Sequence, residues 1–216
     1  MESALCKAAP DGLEVIETFG YSVANGFIRL GLHLDRCTST CEKLNFPFDR
    51  AVAIQALGEA VANEPAQAFV AVRMTVDALG LVAITTREVP VKTGPWRIAV
   101  ASERISSDDP WLGVKTSHRA VYDRARTQLP DGVDEMIFLN ERDEVCEGTI
   151  TNIFVHKGSD LLTPPLASGV LPGIYRDMLV NGDTSPAREA VLHLPDLAGD
   201  FFVANSLRGK IEAKLV

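Results

Sequence analysis

"EGTITNIFV", residues 147–155, sets one carboxylate, Glu147, ahead of a glycine, two threonines and an asparagine that lead into the apolar run Ile153, Phe154, Val155. Two readings compete at this point. Either Glu147 caps a turn before an ordinary strand, or it is aimed at a ligand, and only the flanking segments can decide between them.

The bulk properties narrow the choice. A chain of 216 residues with 46% hydrophobic and 23% charged residues can bury a core without disulfides. No apolar run approaches the roughly 18 residues of a spanning helix, so no membrane role is expected. Met1 to Pro10 has neither the basic nor the apolar region of a signal peptide, which predicts a cytoplasmic protein. A net charge of -8 without clustered Lys and Arg argues against general nucleic-acid binding. Any anionic ligand must be met locally, and 14 arginines against 7 lysines suit bidentate capture of carboxylate or phosphate.

Cys6, Cys37, Cys41 and Cys146 include no CxxC pair. His33, Cys37 and Cys41 share a helical face, but their spacing fits no standard zinc motif, so no metal is expected and the thiols read as small buried apolar groups.

Outward from the opening stretch, the sequence predicts an α+β fold of many hairpins. Two strands within Leu13 to Leu30 flank Asn25-Gly26, the dipeptide of a tight turn. Leu30, Leu34, Cys37, Cys41 and Leu44 recur at helical spacing up to Asn45, and Asp49 caps a second helix over Arg50 to Asn63. A hairpin over Phe69 to Val76 and Leu81 to Thr86 follows. Val89 to Trp96, with Pro90, Gly94 and Pro95, reads as a linker, which predicts domains over residues 1–93 and 94–216. In the second part, strands are expected at Arg97 to Ala101, Met136 to Leu139, Asn152 to His156, Leu161 to Thr163, Phe201 to Ala204 and Ile211 to Leu215. Helices are expected from about His118 to Leu129 and from Gly173 to Val180.

GxSxG, HExxH, GxGxxG and the P-loop are all absent, which disfavours the commonest hydrolases, metalloproteases, dinucleotide enzymes and NTPases. Four features remain: Arg36 on a helix, Lys115 after a proline-containing loop, Glu147, and Leu171-Pro172-Gly173-Ile174 at a helix start. Taken singly, each has a plain alternative. Arg36 could lie on a solvated face, Lys115 could be any loop lysine, and Gly173 could simply open a helix, although a helix N-terminus is also a ready phosphate cradle.

In combination they resemble the class IV aminotransferase family, the fold type IV enzymes that bind pyridoxal 5'-phosphate (PLP). The signature of that family is matched by Glu147, Thr149, Asn152, Ile153, Phe154, Thr163, Leu171, Gly173, Ile174 and Arg176. "IETF" (Ile16 to Phe19), "HLDRC" (His33 to Cys37), "VKTSHRAVYDRAR" (Val114 to Arg126) and "NSLRG" (Asn205 to Gly209) extend the likeness over most of the chain.

The resemblance implies a D-amino acid aminotransferase-like architecture: a small N-terminal α/β domain and a larger C-terminal mixed-sheet, barrel-like domain. It implies that Lys115 is the Schiff-base lysine and proton shuttle. Glu147 then faces the pyridine nitrogen, with Thr149 and Asn152 in support. Arg36, Gly173, Ile174, Asn205 and Ser206 are implied on the phosphate side, and Thr18 is implied as an aid to proton transfer. Burial beside the cofactor would favour a neutral Lys115. A homodimer and a small amine or carboxylate substrate are implied too.

Within the class, the wording is closest to the 4-amino-4-deoxychorismate lyases, which release pyruvate and form 4-aminobenzoate for folate synthesis. The alternative is a transaminase acting on branched-chain or D-amino acids. Branched-chain enzymes carry a tyrosine five residues after the lysine, where this chain has Ala120, and Tyr122 lies too far along to take that role. A non-catalytic relative is disfavoured by the intact Lys115, Arg36 and Glu147. Arg87, Arg97, Arg104 and Arg119 are candidates for a substrate carboxylate, with no one of them singled out.

Overall fold

The computed structural model describes residues 4–65, 68–90, 92–182 and 186–216. Met1 to Ser3, and Val91 within the expected linker, lie outside these. The chain forms two compact units, Met1–Val91 with Lys115–His118, and Lys92–Val114 with Arg119–Val216.

The first unit opens with a single turn, α1 (Ala4–Lys7), and a four-stranded sheet ordered β2-β1-β3-β4. Its strands β1 (Val15–Ser22), β2 (Gly26–Phe27), β3 (Phe69–Val76) and β4 (Val82–Glu88) are all paired antiparallel. The turn before β2 uses Gly26 at φ 65, which glycine adopts without a Cβ penalty. Helix α2 (Leu30–Leu44) buries Leu34, Cys37, Cys41 and Leu44, the apolar stripe read from the sequence, and packs on β1. It stops where Asn45 turns left-handed, at φ 58. Helix α3 (Arg50–Val61) starts where the Asp49 carboxylate accepts from the amides of Ala51 and Val52. Strand β1 is buried at Val15, Ile16, Glu17 and Phe19, without a period-2 alternation, so one acid lies within a strand covered on both faces.

The second unit is built on an eight-stranded mixed sheet, ordered β10-β9-β8-β11-β12-β5-β6-β7. These strands are β5 (Trp96–Val100), β6 (Glu135–Leu139), β7 (Val145–Gly148), β8 (Asn152–Lys157), β9 (Asp160–Thr163), β10 (Ala187–Glu189), β11 (Phe201–Asn205) and β12 (Gly209–Leu215). Helices α4 (Ala120–Thr127) and α5 (Ile174–Asn181) accompany them. Ile98, Ile137, Val145, Ile153 and Val203 form one buried cluster of the sheet, and Phe138, Cys146 and Val170 belong to another. The cysteines expected as buried thiols are so at Cys37, Cys41 and Cys146, while Cys6 is half-buried.

Two strands escaped the sequence reading. β10 is only three residues long. β7 matters more, because it contains Glu147, which the sequence placed before a strand rather than inside one. Ile137 pairs with Gly148 and Leu139 with Val145, so two residues of β7, Cys146 and Glu147, face a single residue of β6. Such a bulge breaks simple alternation and re-aims a side chain, and all four residues of β7 are buried.

Candidate active site

In the first unit, residues 115–117 run antiparallel beside the start of β1. Ile16 N donates to Lys115 O at 2.8 Å, Ser117 N to Glu14 O at 2.8 Å, and Glu14 N to Ser117 Oγ at 2.9 Å. The half-buried Lys115 is thereby pinned by its own backbone to the strand that carries Glu17 and Thr18.

Glu17 is the centre of a charged knot that the sequence reading did not anticipate. Its carboxylate accepts from Arg36 Nε at 2.8 Å, Arg36 Nη2 at 2.6 Å and His33 Nδ1 at 2.6 Å. His33 and Arg36 stand three apart on α2 and so project from one face. Burial alone would raise the Glu17 carboxyl, but the Arg36 charge and the bonds from His33 and Arg36 outweigh it and hold the acid below its ordinary range. Burial lowers His33, and the positive charges of Arg36 and Lys115 add to this, overriding the pull of Glu17. His33 is therefore neutral and donates through Nδ1. The only early signal was an acid in "VIETFG", a strand otherwise apolar on both faces.

In the second unit Glu147 is 5% exposed. Oε1 accepts from the Tyr122 hydroxyl at 2.7 Å, and Oε2 from Leu171 N at 3.1 Å and Asn152 Nδ2 at 3.3 Å. Asn152 also donates to Leu171 O at 3.1 Å, tying β8 to the segment that enters α5. A Cβ on Gly173 would meet Asn152 Oδ1 at 1.9 Å, so only glycine lets this backbone approach so closely. Gly173 is the N-cap of α5 and supplies no side-chain cap.

Thr149 serves a different carboxylate. Its amide donates to Glu135 Oε1 at 3.1 Å, and its hydroxyl bonds Glu135 and accepts from Arg126 Nη1 at 2.9 Å. Glu135, fully buried, also takes Ile150 N and the Thr151 hydroxyl, each at 3.2 Å, and so fixes the loop that follows Glu147. Asn205 spans two loops: Nδ2 donates to Ile150 O at 3.2 Å and Oδ1 accepts from Arg208 N at 2.9 Å. Ser206 and Ile174 are buried, and Thr18 is half-buried opposite Arg73 in β3. Thr163 and Arg176 are structural in their contacts, Thr163 Oγ1 bonding Ile153 O and Arg176 Nη2 bonding Pro164 O. Tyr122 and Glu135 had no usable sequence signal, because their partners are 25 and 14 residues away.

These donor sets suit PLP. A buried carboxylate whose two oxygens are oriented by three neutral donors matches a ring N–H, and a helix start capped by no side chain offers amides and dipole to a phosphate. Among the described residues no helix is long and apolar enough to cross a membrane, and no group of three or more His, Cys, Asp or Glu is arranged to hold a metal.

An antiparallel four-stranded sheet with an eight-stranded mixed sheet, and a buried acid next to a glycine-opened helix, define the fold type IV aminotransferase class. A solved structure from Mesorhizobium loti, a "putative amino-acid aminotransferase", superposes with a TM-score of 0.88 at 33% identity, over 94% of this chain and 100% of that one. Residues 14–216 match the amino-transferase class IV family, and the chain belongs to that family, whose members bind PLP.

A "probable branched-chain-amino-acid aminotransferase" of Thermotoga maritima is 33% identical over 95 residues, 42% of this chain. The matched stretch spans 34% of that relative's length. A "putative 4-amino-4-deoxychorismate lyase" from Legionella pneumophila shares the fold, with a TM-score of 0.81 at 19% identity over 94% of this chain and 82% of that one.

Proposed function

We propose that the chain is a PLP-dependent aminotransferase that passes an amino group between a small amino acid and a 2-oxo acid. The observation that carries this reading is the Glu147 carboxylate, buried on a bulged strand with both oxygens held by donors. The relatives named as aminotransferases, at 33% identity, weigh for transamination over the lyase reaction that the sequence wording put first.

When bound, PLP supplies an aldehyde that takes up amines and a protonated ring that accepts the electron pair released at the substrate carbon. Lys115 provides the amine that anchors the aldehyde, and once displaced it takes and returns a proton at the substrate carbon next to nitrogen. Glu147, with Asn152 donating to its Oε2, keeps the proton on the ring nitrogen. Arg36 and the amides around Gly173, Ile174 and Ser206 hold the phosphate, with Asn205 shaping the last of these loops. Thr18 assists proton transfer near Lys115. The working form is a homodimer.

A second reading, lysis of aminodeoxychorismate, is favoured by Ala120 where branched-chain enzymes place a tyrosine. Purified protein loaded with PLP is offered amino acids, 2-oxo acids and aminodeoxychorismate. Conversion of the cofactor to its amine form by an amino acid, reversed by a 2-oxo acid, supports transamination, whereas pyruvate release without that conversion supports the lyase. Lys115→Ala is the control. Should it still bind PLP covalently and turn over, the assignment of Lys115 is wrong.

A further inference from the structure

We infer that Tyr122 is a positioning residue for Glu147, holding one carboxylate oxygen so that the acid keeps a single orientation. The inference rests on the reading of Glu147 as the acid that faces the ring nitrogen.

The terminal torsion of a glutamate is broad, so a carboxylate on a bulged strand needs a donor on each oxygen to fix its plane. Oε2 has Leu171 N and Asn152 Nδ2, and Tyr122 supplies its 2.7 Å bond to Oε1. The phenol is itself held in place. Its ring meets the fully buried Phe138 edge-on, with centroids 5.2 Å apart, and the Arg119 guanidinium lies 5.5 Å over it. Arg119 is anchored in turn, by Nη2 on Thr149 O at 3.0 Å and Nε on Asp123 at 2.8 Å. Burial, and then the Glu147 charge, push the phenol far above its ordinary range, so the hydroxyl stays a neutral donor throughout the working pH range. A tyrosine present only to fill space beside Phe138 would need no hydroxyl, and this separates the two roles.

The test compares Tyr122→Phe, Glu147→Gln and the double variant in the full chain. Three quantities are read: affinity of the cofactor-free protein for PLP, the 15N shift of the ring nitrogen in bound labelled PLP, and kcat for an amino-acid half-reaction. Tyr122→Phe is expected to lower kcat about tenfold, as one hydrogen bond to a charged acceptor implies. It should also move the ring-nitrogen shift in the same direction as Glu147→Gln but by less. In the Glu147→Gln background the same substitution should change none of the three, because the tyrosine acts through the acid.

Equal effects of Tyr122→Phe in both backgrounds, or no effect in either, overturn the positioning role while leaving Glu147 in place. A Glu147→Gln variant with wild-type ring-nitrogen shift and kcat overturns the reading of Glu147 itself, and this inference with it.

Discussion

The Arg36 guanidinium meets the Glu17 carboxylate through two near-parallel bonds, Nε to Oε1 at 2.8 Å and Nη2 to Oε2 at 2.6 Å, with Glu17 wholly buried. A fork so engaged has one orientation, and that orientation is set by a strand residue 19 positions earlier. Glu17→Ala should therefore strand a largely buried guanidinium. Breaking a buried pair costs about 3–5 kcal/mol. In a chain of this size the melting temperature of the cofactor-free protein should fall by about 6–20 °C. If Arg36 serves the phosphate, affinity for PLP should fall as well, and a PLP titration of the variant at low temperature measures it.

The same knot predicts acid sensitivity. Glu17 is held below its ordinary value in the fold, so its contribution is present above the unfolded carboxyl range and is lost as pH falls through the folded value. His33 is also lowered, so the folded state prefers it neutral and loses that stabilisation as pH drops below its unfolded value of 6.5. Glu135 works in the opposite direction, because burial raises it. Urea unfolding of wild type and Glu17→Gln between pH 6 and pH 3 isolates the knot. The stability gap between the two should narrow only below the ordinary carboxyl value of 4.5, and a gap that stays constant through that lower range would falsify the electrostatic account.

Gly173→Ala places a Cβ at 1.9 Å from Asn152 Oδ1. Either Asn152 leaves Glu147 and Leu171 or the start of α5 moves, and overpacking of this kind costs about 1–3 kcal/mol. PLP affinity is expected to fall about ten- to hundredfold if that strain is felt at the helix start. Equilibrium titration of cofactor-free protein reads it directly, and unaltered affinity would show that the helix start carries no phosphate.

Glu135→Ala removes the acceptor shared by Thr149 N, Ile150 N and the Thr151 hydroxyl. Each buried donor left unmade costs about 1–3 kcal/mol. The variant should lose several kcal/mol of stability, or fail to fold, and amide exchange should rise first at residues 149–151. Glu135→Gln keeps the shape and one acceptor oxygen and should recover part of the loss in chemical denaturation.

Much of the architecture was legible because it is written in short-range patterns. The stripe Leu30, Leu34, Cys37, Cys41, Leu44, the Asp49 cap and the turn at Asn25-Gly26 each act over a few residues, and each produced the expected element. The signature from Glu147 to Arg176 identified the family for the same reason: its spacing is a property of the chain. The sequence could not decide between transamination and lysis, because both require the same cofactor-facing residues.

The sequence by itself determined the family and the period of most helices and strands, and it named the side chains proposed to serve PLP. Tertiary structure alone decided which acid is held by which donor. Glu147 lies in a bulged strand rather than a turn, Thr149 bonds Glu135 and not Glu147, and Tyr122 reaches Glu147 across 25 positions of chain. Arg36 is forked on Glu17. The physical reason is that a hydrogen bond depends on separations of about 3 Å set by packing and strand register, and local sequence specifies neither.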